Sequence, residues 1–222
     1  MPDRPVHVHI QELSQVLVDI SSRVVENLFE ALRAVKYQDE HSVPRIKLVE
    51  NELDREEIAL EEQCIQFIAL QHPVAKDLRT IVAIMMISEE LERIGEISLH
   101  IMDSMIEISP LLLESLEFES MFMLAGEMVT KSIDAFVLQD RDLADQVCAN
   151  DDEVDAMHRA AFKKVTALMK IADADVTQLT NALSVSRNIE RMADHASKIA
   201  QEVIYLVTGE LVKHKDSHDN LL

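Results

Sequence analysis

Residues 91–96 of the chain, Leu91-Glu92-Arg93-Ile94-Gly95-Glu96, return 98 positions later as Ile189-Glu190-Arg191-Met192-Ala193-Asp194. Upstream, Ala34-Val35-Lys36-Tyr37-Gln38-Asp39 returns 101 positions later as Ala135-Phe136-Val137-Leu138-Gln139-Asp140. Two echoes at nearly one spacing define an internal repeat of about 100 residues. The three-residue shortfall fits a shorter turn between the second and third helices of the later copy. Around these echoes the apolar residues fall at helical spacing. Leu179, Ala182, Leu183, Ser186, Ile189, Ala193, Ala196, Ile199, Ala200 and Val203 form one such stripe, with Gly209 placed to end the helix. The same reading predicts helices over 8–36, 41–71, 74–108, 111–138, 142–171 and 175–208. Pro44, Pro73 and Pro110 mark helix starts or first turns. Long helices with short connections imply antiparallel neighbours. The expected fold is all-α: two tandem three-helix bundles over 8–108 and 111–208, with tails at 1–7 and 209–222.

Composition agrees. Of 222 residues 48% are hydrophobic and 28% charged, which is globular, yet there are only 3 Gly and 5 Pro. Turn chemistry for many strands is missing, which excludes a sandwich or barrel. Neither GxGxxG nor GxxxxGK[ST] occurs, so no phosphate-cradling loop of a nucleotide enzyme is expected. Against 21 Lys and Arg stand 41 Asp and Glu, a net charge of -20. Such a surface repels phosphate backbones and suits cations and basic partners, so no nucleic-acid partner is expected. Cys64 and Cys148 lack CxxC spacing and read as reduced packing residues. Met1-Pro2-Asp3-Arg4-Pro5 lacks the apolar stretch of a signal peptide, and the longest apolar run, 81–87, is far short of a membrane span. These features predict a cytoplasmic protein with no transmembrane segment.

Acidic pairs at i, i+4 recur at matching places in the two copies: Glu50 with Asp54, Glu92 with Glu96, Asp151 with Asp155, and Glu190 with Asp194. That spacing puts both carboxylates on one helix face, where like charges destabilise an isolated helix. In a hairpin of the second and third helices, Asp54 lies level with Glu92 and Glu50 with Glu96, equidistant from Pro73. In the later copy Asp155 pairs with Glu190 and Asp151 with Asp194, about the turn near Ala172 and Asp173. Four carboxylates are thus expected on one face of each bundle, and clustered anions require protons or cations. An oxygen-only set suits Mg, Mn, Ca or Fe better than thiolate-loving metals. Arg93 and Arg191 leave a competing reading open, an ordinary acid–arginine network.

With these motifs in hand, the sequence resembles the PhoU family of bacterial phosphate-signalling regulators over nearly its whole length. The resemblance is carried by Gln71-His72-Pro73-Val74-Ala75-Lys76-Asp77-Leu78-Arg79, by 91–96, by Ile189-Glu190-Arg191-Met192-Ala193-Asp194-His195 and by Asp151-Asp152-Glu153-Val154-Asp155. It implies two three-helix bundles and multinuclear metal clusters at the acidic pairs, iron foremost, with Zn, Mn or Mg as alternatives. It further implies a homodimeric, non-enzymatic negative regulator of phosphate uptake. Such an adaptor couples a phosphate ABC transporter ATPase to the sensor histidine kinase of a two-component system. One departure is Glu96, where the family favours Asp; the second-copy site is therefore expected to be nearer the ideal.

Among the remaining residues, Met85, Met86, Met121, Met123 and Met128 read as core at helical spacing. His7 and His9 read as a solvated pair in the tail, and His195 as a surface histidine. Two rival functions use the same carboxylates: a metal-dependent hydrolase and a passive metal store. Only Asp155-x-x-His158 approaches the Glu-x-x-His pattern of ferritin-like di-metal enzymes.

Overall fold

The computed structural model describes residues 5–210, so most of both expected tails, 1–7 and 209–222, lies outside the described residues. Seven helices follow in order: α1 (Pro5–Lys36), α2 (Val43–Gln71), α3 (Ala75–Ile106), α4 (Pro110–Ser115), α5 (Phe118–Leu138), α6 (Arg141–Leu168) and α7 (Val176–Thr208). The first repeat supplies α1, α2 and α3, the second α5, α6 and α7, and no strand occurs among the described residues.

The helix ends follow local chemistry. Pro44 and Pro110 stand in the first turns of α2 and α4, where a missing N–H costs nothing. Pro73 lies in the turn between α2 and α3. The Asp140 and Asp175 side chains accept from the backbone N–H of Leu143 and Gln178, capping α6 and α7. Gly209 ends α7 in the left-handed conformation, its N–H donating to the Tyr205 carbonyl.

Several expectations are corrected here. The turn between the second and third helices of the later copy, 169–175, is longer than its counterpart at 72–74, not shorter, so the three-residue shortfall arises from shorter helical arms on either side of it. The helix expected over 111–138 is broken at Glu117, which takes φ 57. The break re-aims the chain so that Leu116 and Phe118 are both buried, Phe118 completely. Burial of a large aromatic outweighs one residue in a left-handed conformation, and no Gly or Pro signals it in the sequence. At the other end α1 starts at Pro5, so His7 and His9 are helical, exposed residues, with His7 Nε2 3.7 Å from Asp77.

The bundles share one core. α2 packs on α1 and α3, and α6 on α5 and α7, but the most extensive packing in the molecule joins α3 to α7, with α1 against α5 beside it. α7 is buried well beyond its expected stripe: Val185, Met192, Ile204 and Leu206 are also covered. Its small residues Ala182, Ala193, Ala196 and Ala200 have no exposed surface and let neighbouring helices approach closely. His195 belongs to this seam. It is buried, not superficial, and its Nδ1 lies 2.5 Å from Oε2 of Glu90 on α3, with Lys198 Nζ at 3.7 Å from the same oxygen. An imidazole facing a carboxylate of the other repeat can be buried because its hydrogen bond is satisfied there. Met121 and Met128 are core as expected and Met85 packs against it, whereas Met86 and Met123 are exposed. Cys64 and Cys148 are free thiols, Cys64 fully buried, and burial pushes both up to about 11.

Candidate functional site

The hairpin of α2 and α3 carries the first acidic face. Glu50 is 5% exposed, and its carboxylate lies directly over Gly95 of α3, where any Cβ would collide with Oε1. Asn27 of α1 donates to Glu50 Oε2 at 3.3 Å. Burial first, then repulsion from Asp54, raises the Glu50 carboxyl to about 7; Glu96 and Glu92 add to it. Asp54 is half-buried and is raised by burial and by Glu96. Glu92 and Glu96 are more open and flank Arg93, at 3.8 and 3.2 Å. The α3 pair therefore does enter an acid–arginine contact, whereas no Lys or Arg pairs with Glu50 or Asp54 among the described residues.

A fifth acid belongs here that the i, i+4 search passes over. Glu57, one turn beyond Asp54, is only 6% exposed, and neither carboxylate oxygen has a hydrogen-bond partner. Burial, followed by repulsion from Glu50, Asp54 and Glu92, pushes its carboxyl up to about 9. The 50, 54, 57 spacing of one helix face was the available signal. Asp54, Glu57 and Glu92 line a cavity of about 720 Å³, together with Ser88, Met85 and Arg93.

The hairpin of α6 and α7 carries the second face. Asp151 is raised to about 6 by burial, then by Asp194 and Asp155, with the Ser197 hydroxyl pulling the other way. Glu190 rises to about 7 through burial, then Asp194 and Asp155, opposed by Arg187. Arg159 Nη1 reaches Asp155 Oδ2 at 3.1 Å. Beside them His158 Nδ1 meets Ser186 Oγ at 2.7 Å, and burial holds its imidazole below the ordinary value.

Each quartet is thus gathered within electrostatic reach across its hairpin. Neither is a finished cage: among the described residues no three His, Cys, Asp or Glu side chains stand together as a ready ligand set. The chemistry of the groups still fits a cation. The donors are oxygens, several are partly or wholly withdrawn from water, and Glu57 buries two oxygens without partners. Such a cluster takes up protons at low pH, and its oxygen donors are of the kind that hard or borderline cations prefer.

Comparison with known proteins bears on the same segments. The PhoU domain profile matches the chain twice, over residues 17–105 and 118–203. The chain belongs to the PhoU family. Each match contains one complete acidic face. A Clostridium acetobutylicum relative named phosphate-specific transport system accessory protein PhoU homolog is 29% identical over 210 residues, covering 93% of this chain and 96% of its own length. A Thermotoga maritima relative, PhoU homolog 1, is 30% identical over 217 residues, with 93% and 92% covered. Among solved structures, the phosphate transport system regulatory protein PhoU of Streptococcus pneumoniae superposes with a TM-score of 0.86 at 26% identity, covering 94% of this chain and all of that one. PhoU from Pseudomonas aeruginosa gives 0.85 at 27% identity, with 92% and 99% covered. Within this PhoU fold, no described helix is long and apolar enough to cross a membrane.

Proposed function

We propose that this PhoU-family chain is a metal-binding negative regulator of phosphate uptake. It acts in the cytoplasm, as a homodimer, as an adaptor between a phosphate ABC transporter ATPase and the sensor histidine kinase of a two-component system. The observation that carries the reading is the recurrence of a partly buried carboxylate face at the same place in both repeats of the fold. One such face is a common accident in so acidic a chain, but two at matching heights are not. Glu50, Asp54, Glu92 and Glu96 would hold metal in the first repeat, and Asp151, Asp155, Glu190 and Asp194 in the second. The metal supplies positive charge that offsets the clustered carboxylates. The protein's own contribution is to hold α2 against α3, and α6 against α7, so that the acids face one another. The relatives' names, accessory and regulatory proteins of phosphate transport, support a regulatory rather than catalytic role. Long helical faces suit partner contacts of that kind.

Elemental analysis of the purified protein is the direct test. Glu190→Gln with Asp194→Asn is expected to lower metal content with the fold intact, because the core positions Ile189, Ala193 and Ala196 are untouched. Full metal content in that variant would remove these residues as ligands. Deleting the gene is expected to derepress phosphate-uptake genes in phosphate-rich medium, and a reporter that stays repressed would overturn the regulatory reading. A phosphatase assay with and without the metal separates regulation from hydrolysis.

A further inference from the structure

The two acidic faces follow one plan with one chemical difference. The offset of 101 that carries Glu50 and Asp54 onto Asp151 and Asp155 carries Glu57 onto His158, and the offset of 98 that carries Glu92 onto Glu190 carries Ser88 onto Ser186. In the second repeat this inner pair is satisfied, His158 Nδ1 to Ser186 Oγ at 2.7 Å. In the first repeat it is not. Both carboxylate oxygens of Glu57 and the Ser88 hydroxyl are buried without partners, and both residues line the cavity that Asp54 and Glu92 also line. Packing alone would place Leu or Met at a helix position as buried as that of Glu57. An unpaired carboxylate withdrawn from water is strongly disfavoured unless a cation or proton compensates it.

We propose that Glu57 is a further metal-coordinating residue of the first face, and that the exchange of Glu57 for His158 makes the two repeats select different ions. The first face takes a hard cation such as Mn²⁺ through oxygens alone; the second takes Zn²⁺ through carboxylates and one imidazole. The inference rests on the reading that the carboxylate faces bind metal. Carboxylates suit Mg²⁺, Ca²⁺ and Mn²⁺, whereas imidazole suits Zn²⁺. In the second repeat Ser186 occupies Nδ1, which leaves Nε2 as the ring's ligand atom and holds the ring as an outer hydrogen-bond partner does in metal sites. The neighbours reinforce the contrast. Arg159 and Arg187 of the second face stand where the first face has Ile58 and Glu89, so the first face is the more negative of the two.

Metal-stripped full-length protein is titrated calorimetrically with Mn²⁺ and with Zn²⁺, singly and in competition. Glu57→Gln is expected to weaken Mn²⁺ binding about tenfold or more while leaving Zn²⁺ binding within about twofold, the scale on which altered metal-site partners act. His158→Gln is expected to do the reverse. Glu57→His should raise the Zn²⁺ stoichiometry of the first face, which keeps the test decisive if Glu57→Gln does not fold by circular dichroism. The overturning result is specific: Glu50→Gln with Asp54→Asn abolishes Mn²⁺ binding while Glu57→Gln leaves it unchanged. Glu57 is then a protonated core acid, and the metal reading of the faces survives without it. Wild-type protein that binds neither ion would instead remove the proposed function itself, and this inference with it.

Discussion

At Gly95 a single missing Cβ makes room for the Glu50 carboxylate. The second repeat pairs a shorter acid, Asp151, with Ala193 at the matching positions. Acid length and helix residue thus vary together between the copies. Gly95→Ala is expected to displace the Glu50 carboxylate, because the colliding atoms are the end of a flexible side chain, and to weaken the metal binding proposed for the first face. The fold should persist, since Ala gains up to about 1 kcal/mol over Gly inside a helix. Calorimetry and thermal melts on one sample check both halves, and unchanged binding would contradict the packing argument. A second prediction concerns pH. Glu50, Asp151 and Glu190 are raised to about 7, 6 and 7 in the folded protein. The folded state therefore holds protons that the unfolded chain has already released. Metal-free stability must fall as pH rises from the ordinary carboxylate range through these values, by about 1.4 kcal/mol for each pH unit separating the two states of a group. Melting in chelator is expected to be highest near pH 5 and lower at pH 8. Glu50→Gln with Glu190→Gln should flatten the slope, and a slope identical to wild type would show that these groups do not set it.

Among the elements, the interruption between α4 and α5 is the clearest departure from sequence periodicity. Residues 111–116 follow Pro110 in good helical order, yet Glu117 turns left-handed to seat Phe118. Glu117 itself is exposed. Glu117→Gly is expected to stabilise the protein by about 1 kcal/mol, the cost of a left-handed L-residue less the added flexibility of glycine in the unfolded chain. A melting temperature lowered by this substitution would mean that the Glu117 side chain matters more than its backbone. α7 shows the opposite relation. Its stripe at 179, 182, 186, 189, 193, 196 and 200 is visible in the sequence and is buried as expected. Its further buried residues, Val185, Met192 and Leu206, were not legible, because α7 packs against α3 of the other repeat as well as against α5 and α6.

For the whole molecule, the dominance of the α3–α7 contact predicts how it unfolds. Two bundles joined by a linker would melt separately, whereas bundles sharing a core must unfold together. Differential scanning calorimetry of metal-free protein is expected to show one transition. The first repeat alone, cut after Ile108, should lack a stable fold, because the faces of α1 and α3 that meet α5 and α7 would be open to water. Two resolved transitions, or an isolated repeat with a sharp melt, would contradict this.

Helical class, the repeat, the spacing of the acidic pairs in each copy and most helix ends were legible in the sequence. Each of these is local or periodic: proline and glycine chemistry, spacing along a helix and symmetry about a turn are all written in neighbouring residues. Tertiary structure alone decided that His195 is buried against Glu90, that α3 and α7 join the repeats, and that Glu57 lies with the acids instead of in solvent. Its spacing from Glu50 and Asp54 puts Glu57 on their helix face, but in so acidic a chain that spacing does not tell a buried glutamate from an exposed one. Its burial depends on which side chains stand across the hairpin, and that is a property of helices brought together, not of any one helix.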